Sequence, residues 1–298
     1  MDDEDFYVEN NKFFEKMFKY LNYDFLDDYS LENLSELMNI FNKISDYNKR
    51  FLYGGFVKSK SIVPIFIEVI KDLGDKRLLD YYLEKVSEIP MERTRLLSKN
   101  NSCLEHYFLE DYIKFSAILV PKGLFRYSDV ASYAHEMGHV ADMENKNREK
   151  KDYYEYSEVL SILLEYFTFL KLMGNRGDNI FYRERLVCER NASKAAISSI
   201  NRLKSEFGSS DEHKYYTYDI ADSNKYLRSS DFAFQFIDLL GEDRAELCRL
   251  LTSTLMGERT VAELGESLDI NTDGCKRLVK EYEKRKRRWV EFLVDNMI

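Results

Sequence analysis

Residues 135–139 read His-Glu-Met-Gly-His, and they contain two of the four histidines in this 298-residue chain. In an α-helix, positions i and i+4 lie on the same face, so His135 and His139 can direct their imidazole nitrogens to a single metal ion. Glu136 follows the first histidine, where its carboxylate can act on a water molecule at the metal without binding the metal itself. Two imidazole ligands and a nearby general base are the groups that zinc-assisted hydrolysis requires.

The same pentapeptide also has a purely structural interpretation. Two histidines at this spacing can simply be packed in a protein core, without any metal. The flanking sequence favours a helix in either case, because Ser128 and Asp129 can cap an N-terminus and apolar residues recur at helical spacing after them. The rest of the chain must therefore decide between a metal site and a pair of core histidines.

A catalytic zinc usually has three protein ligands and leaves a fourth position for water. Glu158 is the candidate third ligand, and it opens a largely apolar segment that also contains Ser161 and Glu165. On a helix, Glu158 and Glu165 are two turns apart on one face with Ser161 beside them. Two acids on so apolar a helix are costly unless a positive group meets them. We predict that Glu158 coordinates zinc and that Glu165 accepts a hydrogen bond from a ligand histidine; the alternative is a solvent-facing acidic edge.

The elements that must position these residues are predicted to be mostly helices, since the chain has only 3 Pro and 12 Gly. Phe115–Val120 predicts a short strand just before the metal helix. This strand either lies along a cleft and pairs with a substrate backbone, or is a buried strand of a small sheet. Residues 144–152 are predicted to form an exposed loop. Helices are predicted at 30–50, 63–73, 78–86, around 135–139, from Ser157 to Met173, and at 182–207, 218–227, 231–240, 243–256 and 273–294.

Composition excludes several classes of function. A net charge of −9 argues against nucleic acid as a partner, and the basic run at 276–288 is interpreted as the solvated face of a C-terminal helix. No apolar stretch is long enough to span a bilayer, and the acidic N-terminus lacks the pattern of a secretory signal. The four cysteines are far apart and form no C-x-x-C pair. We therefore expect a cytoplasmic protein with reduced thiols and no membrane partner.

Three blocks of the sequence together resemble the oligoendopeptidase F and thimet oligopeptidase family of zinc peptidases. The resemblance covers about residues 112–298, and its blocks occur in the family's order. The downstream segment at 256–270 is also similar to the family's C-terminal helices. The blocks are a D-V-x-x-x-x-H-E-x-G-H helix within residues 127–139, an E-x-x-S-x-x-x-E segment at Glu158, Ser161 and Glu165, and an aromatic segment at Tyr215, Tyr216 and Tyr218.

The resemblance implies a mainly α, helical zincin-type metallopeptidase with a small β-sheet edge next to the metal helix and one zinc ion per chain. It divides the chain into a helical N-terminal lobe at 1–111 and a catalytic region at 112–298, and we expect the two to form one continuous structural unit. It implies a tyrosine that stabilises the oxyanion, with Tyr218 as the best match and Tyr215 and Tyr216 as alternates. The alternative is that this tyrosine-rich segment begins a helix that packs on the core. The family has a further His and Tyr upstream at larger spacing. Asp211 and Glu206 stand at those positions in this chain, so His213, on a predicted loop that begins at 208–210, is the candidate substitute. The alternative is that this chain positions its substrate differently.

Two hypotheses about function follow. The first is a zinc metalloendopeptidase that hydrolyses peptide bonds in peptides, with Glu136 as general base. The second is a non-catalytic, zinc-containing peptide-binding or regulatory protein on a peptidase scaffold. The presence of Glu136 favours the enzyme, because binding of the metal does not need this carboxylate. The sequence leaves open the substrate preference, endo- or exo-action and the oligomeric state.

Overall fold

A computed structural model describes the chain at residues 35, 38–39, 56–58, 61–94, 103–109, 112–121, 125–144, 156–174, 177–205, 210–240, 244–270, 277 and 280–281. The described part is mainly helical, which confirms the predicted fold class. Its helices are α1 (Ile62–Asp72), α2 (Lys76–Glu88), α3 (Tyr127–Glu144), α4 (Val159–Met173), α5 (Gly177–Ser205), α6 (Ser210–Leu239), α7 (Arg244–Leu255) and α8 (Val261–Ser267). Its strands are β1 (Phe56–Val57), β2 (Met91–Thr94), β3 (Cys103–Leu109), β4 (Tyr112–Pro121) and β5 (Phe125–Arg126).

The helices α1 and α2 form a pair that ends and restarts where the sequence predicts. Gly74 has a φ of 84°, which a glycine adopts without strain, and it separates the two helices. The side chain of Asp75 then accepts the backbone N–H groups of Arg77 and Leu78 and so caps α2. Phe66 of α1 and Tyr82 of α2 are fully buried and meet edge to face, with ring centroids 5.1 Å apart.

A three-stranded sheet in the order β2-β4-β3 lies beside α3. β4 pairs antiparallel with β3 and parallel with β2, and its Ile118 lies opposite both Leu104 and Met91. The strand predicted at Phe115–Val120 is therefore the central strand of the sheet. Its second half has partners on both sides, so it is not free to add a substrate strand there. The hypothesis of a buried strand in a small sheet fits this arrangement.

Helix α4 runs through the middle of the fold. Ten of its 15 residues are buried, and it packs against α1, α3, α5 and α6. A helix that is apolar all round must be covered on every side, which explains why this segment carries so few polar residues. The acidic side chains that it does carry must find their partners inside the protein.

Close contact between α3 and α4 depends on Gly138. A Cβ atom at this position would lie 2.5 Å from Cα of Ser161 and 2.8 Å from its backbone nitrogen. Because backbone atoms cannot move aside cheaply, only glycine permits this approach. The fourth residue of the His-Glu-Met-Gly-His motif therefore sets the distance between the two helices that carry the candidate ligands.

Several predicted elements differ from the structure. The two helices predicted at 218–227 and 231–240 are one continuous helix, α6, because no glycine or proline interrupts the chain there. For the same reason His213 and Ser210 lie in this helix and not in a loop. The strands β2 and β3 were not predicted, since residues 91–109 lack an extended apolar alternation. The predicted helix at 30–50 lies mostly outside the described residues, as do the loop after Glu144 and the basic run at 276–288.

The boundary predicted at residue 111 stays a prediction, although β3 and β4 pair across it. In the described part of the chain, no helix has the length and hydropathy needed to cross a membrane.

Candidate metal centre

Helix α3 begins two residues before the predicted cap and presents both motif histidines on one face. The backbone N–H of Arg126 donates to Oδ2 of Asp129 at 2.6 Å, so Asp129 closes the first turn from inside the helix. The two imidazole rings lie one turn further on, with centroids 4.7 Å apart and planes at 83°. His135 and His139 therefore point to a common region between α3 and α4.

Three potential ligand atoms converge in that region. Nε2 of His135 lies 3.1 Å from Nε2 of His139, and Oε2 of Glu158 lies 3.2 Å and 3.3 Å from these two nitrogens. Glu158 stands just before the first residue of α4, at the N-cap position. Together the three side chains form a group that could hold a metal ion.

The spacing of the three atoms agrees with a zinc site. Two ligand atoms at tetrahedral positions, each about 2.05 Å from a zinc ion, are about 3.3 Å apart. Oε2 of Glu158 is also buried and has no well-directed hydrogen bond to any described residue. A metal ion at this point would compensate the buried carboxylate in place of a protonated imidazole. The residues present therefore fit a divalent metal with nitrogen and oxygen ligands.

The far side of the His135 ring faces a second acid. Nδ1 of His135 lies 2.9 Å from Oε1 of Glu165, whose other oxygen lies 3.6 Å from Nη1 of Arg185. Arg185 is 2% exposed and also donates from Nη2 to Oγ of Ser230 at 3.0 Å. An acceptor at Nδ1 keeps the proton on that nitrogen and leaves Nε2 free to bind a metal. Glu165 thus faces a motif histidine, and its predicted role toward that histidine stays a prediction.

The close contacts between acids and imidazoles in this region shift the pKa values of His135, Glu158 and Glu165. Burial alone would lower the pKa of His135, but the carboxylates of Glu165 and Glu158 raise it to about 10. Burial raises the pKa of Glu158, and this is outweighed by Lys225 and the two imidazoles, which hold it well below its usual range. The pKa of Glu165 is also lowered, because His135 and Arg185 outweigh its burial. Without metal, the centre is therefore a cluster of paired charges.

The other predicted residues fall into two groups. Glu136 is buried in α3 next to His135, and Ser161 lies at the close contact with Gly138. His213, Tyr215, Tyr216 and Tyr218 lie in the first turns of α6. The side chains of these four residues lie outside the described part of the structure.

Three residues of the centre were missed by the sequence analysis. Lys225 and Arg185 supply the positive charge that meets Glu158 and Glu165. Asp142, one turn after His139, is 3% exposed, and burial and Glu158 together raise its pKa well above the usual value. The sequence did contain an indication for Lys225, because this residue follows Tyr218 by seven positions in one predicted helix and so lies on the same helix face. Asp142 was signalled by its place among the apolar residues of α3.

The fold is similar to that of solved peptidase structures. A candidate oligoendopeptidase F from Bacillus anthracis str. Ames matches 91% of this chain with a TM-score of 0.60 and 15% sequence identity, and the match covers 58% of that protein. A second structure described as a candidate oligoendopeptidase F matches 87% of the chain with a TM-score of 0.60 and 14% identity, over 56% of its own length. PZ peptidase A, solved with an inhibitor, matches 85% with a TM-score of 0.54 and 15% identity, over 58% of its length.

These likenesses establish the fold, and the chain spans less than two thirds of the length of each matched structure. No protein-family model matches the sequence, and no curated protein matches it either.

Proposed function

We propose that this protein is a zinc-dependent peptidase that hydrolyses peptide bonds in peptides. The observation that carries the proposal is the convergence of His135 Nε2, His139 Nε2 and Glu158 Oε2 within 3.1–3.3 Å of one another, beside the buried Glu136. The fold shared with oligoendopeptidase F and PZ peptidase structures supports the choice of peptides as substrates. One zinc ion per chain is expected.

When bound, a zinc ion would polarise a substrate carbonyl and lower the pKa of a water molecule. We assign Glu136 the role of general base, which takes a proton from the attacking water and passes it to the leaving amine. Its place directly after His135, on the helix that carries two of the ligand candidates, supports this role. His135 keeps its orientation because Glu165 holds the opposite ring nitrogen.

A hydroxyl donor is still needed for the oxygen that becomes negatively charged. The geometry of helix α6 helps to choose among its three candidate tyrosines, because Lys225 of this helix contacts Glu158 at 2.9 Å. Seven residues make two near-complete turns, so the position of Tyr218 lies on the same face of α6 as Lys225, about 10 Å away along the axis. The positions of Tyr215 and Tyr216 lie on other faces. We therefore propose Tyr218 as the donor.

The decisive experiment combines metal analysis with a digest of a mixed peptide library read by mass spectrometry. We expect about one zinc per chain and cleavage that a chelator abolishes. The variant Glu136→Gln should keep its zinc and lose activity by about 10²- to 10⁴-fold, since only proton transfer is removed. Glu144→Gln, at the exposed end of the same helix, is the matched control and should cleave normally.

Each result has a defined meaning. Undiminished cleavage by Glu136→Gln would contradict the proposed mechanism. Zinc bound without any cleavage by the unaltered protein would instead favour a non-catalytic peptide-binding or regulatory protein. The cleavage sites found in the library would also report endo- or exo-action.

A further inference from the structure

Lys225 of α6 contacts the outer oxygen of the candidate ligand Glu158. Its Nζ atom lies 2.9 Å from Oε1 of Glu158, whereas Oε2 of the same carboxylate faces the two imidazoles. The Lys225 side chain is 24% exposed and that of Glu158 is 2% exposed. The contact therefore lies on the side of α6 that faces the protein interior. The two oxygens of one carboxylate therefore have different partners.

This division matters because a carboxylate can bind a metal through one oxygen or through both. Rotation about its last side-chain bond exchanges the two oxygens freely unless one of them is held. An ammonium group at 2.9 Å holds Oε1 by a charge-assisted hydrogen bond and opposes that rotation. The contact also ties the start of α4 to the middle of α6.

A second buried acid is electrostatically coupled to this carboxylate. Asp142 of α3 is 3% exposed, and its carboxyl experiences the negative charge of Glu158 and the positive charge of Lys225. Two carboxyl groups in one buried region repel each other when both are charged. Burial and the charge of Glu158 raise the pKa of Asp142, whereas Lys225 contacts Glu158 directly, so Lys225 compensates the charge of Glu158 in the first place.

We propose that Lys225 is a positioning residue of the metal site. It holds Oε1 of Glu158, so that the buried carboxylate is oriented before a metal arrives and offers the metal only Oε2. This inference rests on the metal site of the proposed function, but it does not depend on peptide cleavage.

The proposal has a thermodynamic consequence. A bound zinc ion and the Lys225 ammonium compensate the same buried negative charge. Loss of Lys225 should therefore harm the metal-free protein more than the zinc-loaded protein. An ion pair far from the metal site, in contrast, should contribute equally to both forms, because distant and independent sites add.

The test measures the thermal unfolding midpoint of metal-free and zinc-loaded protein for three chains: unaltered, Lys225→Met and Lys171→Met. Lys171 is a matched control, since its Nζ lies 2.8 Å from Oδ2 of Asp72 in an exposed pair that also joins two helices. We expect Lys225→Met to lower the midpoint of the metal-free protein by about 10 °C and that of the zinc-loaded protein by less than about half as much. Lys171→Met should lower both midpoints by about 2 °C or less.

A spectroscopic readout tests the orientation of the carboxylate directly. The visible absorption of Co²⁺ bound in place of zinc depends on the number of ligand atoms, and four-coordinate sites absorb more strongly than five-coordinate sites. If Glu158 becomes free to bind through both oxygens, the band of Lys225→Met should weaken by about twofold relative to the unaltered protein. Lys225→Gln, which keeps a donor but lacks the charge, replaces Lys225→Met in both measurements if the latter does not fold.

These measurements distinguish a failure of the Lys225 role from a failure of the metal site or of the proposed peptidase activity. If zinc stabilises the unaltered protein but the Co²⁺ band of Lys225→Met equals that of the unaltered protein, the positioning role is overturned and the metal site stands, whatever the midpoints show. Equal lowering of both midpoints would overturn the charge compensation by Lys225. If zinc does not stabilise the unaltered protein and Co²⁺ gives no band, the metal site itself is wrong, and the role of Lys225 is overturned with it. Loss of peptide cleavage alone bears on the proposed function and not on Lys225.

Discussion

At the scale of single residues, the candidate centre is organised by acids that each serve two partners. Glu158 has Lys225 on one oxygen and the imidazoles on the other, while Glu165 lies between His135 and Arg185. Isolated charges of this kind would be very costly in a protein interior. Pairing each of them with a cation or an imidazole makes their burial possible, and it also fixes the direction in which each ligand atom points.

The Glu165 contact gives a prediction about metal affinity. Glu165→Gln removes the negative charge that orients His135, so we expect the zinc affinity to fall by about 10-fold or more, measured by competition with a chelator of known affinity. Glu189→Gln is the matched control, because Oε1 of Glu189 lies 4.0 Å from Nε of Arg185 on the same buried guanidinium. The control should bind zinc within about twofold of the unaltered protein. Equal losses in both variants would mean that Arg185 packing, and not the contact to His135, sets the affinity.

At the scale of elements, the centre depends on how closely three helices approach one another. Gly138 lets α3 lie directly against α4, and the unbroken α6 brings Lys225 to the start of α4. Neither helix α3 nor helix α4 alone contains the complete set of candidate ligands. The exact spacing of 3.1–3.3 Å between ligand atoms is therefore a property of the packing.

The continuity of α6 gives a prediction about its tyrosines. Because Tyr218 shares a helix face with Lys225, Tyr218→Phe should lower kcat by about 10²- to 10³-fold with little change in KM, as expected for a lost oxyanion donor. Steady-state kinetics on one peptide from the library provide the measurement. Tyr216→Phe is the control, since position 216 lies on the opposite face of the helix from Lys225, and it should retain most of the activity. A larger loss from Tyr216→Phe than from Tyr218→Phe would contradict this assignment.

At the scale of the whole molecule, a metal ion would compete with protons for the candidate centre. The pKa of His135 in the metal-free fold is about 10, above the value of about 6.5 for an unfolded chain. The stability that comes from its proton is thus fully present below pH 6.5 and is lost as the pH rises through 10. A metal replaces that proton, so binding should release protons and strengthen as the pH rises.

The corresponding prediction concerns the pH dependence of stability. Metal-free protein should lose on the order of 3 kcal/mol of unfolding free energy between about pH 6.5 and pH 10, measured by denaturant unfolding in the presence of a chelator. Zinc-loaded protein should show a much smaller decline over the same range, because His135 then carries no proton at Nε2. His135→Gln should likewise remove most of the decline. An equally steep decline in that variant would assign the effect to other groups.

Local sequence patterns were enough to identify the residue types that could do chemistry and the elements in which they lie. The spacing of His135 and His139 and the two acids on an apolar segment followed from helical periodicity, a local property of the chain. The mainly helical fold and the break at Gly74 followed from the scarcity of proline and from glycine's backbone freedom.

Only the tertiary structure decided which charges meet. The cations beside Glu158 and Glu165 come from Lys225 and Arg185, which are distant in sequence and reach the centre only after α5 and α6 pack on α4. The central place of β4 was likewise beyond local signals, because strand neighbours are set by long-range pairing. Local periodicity can place a side chain on a face of its helix, but the partner across that face depends on the packing of the whole chain.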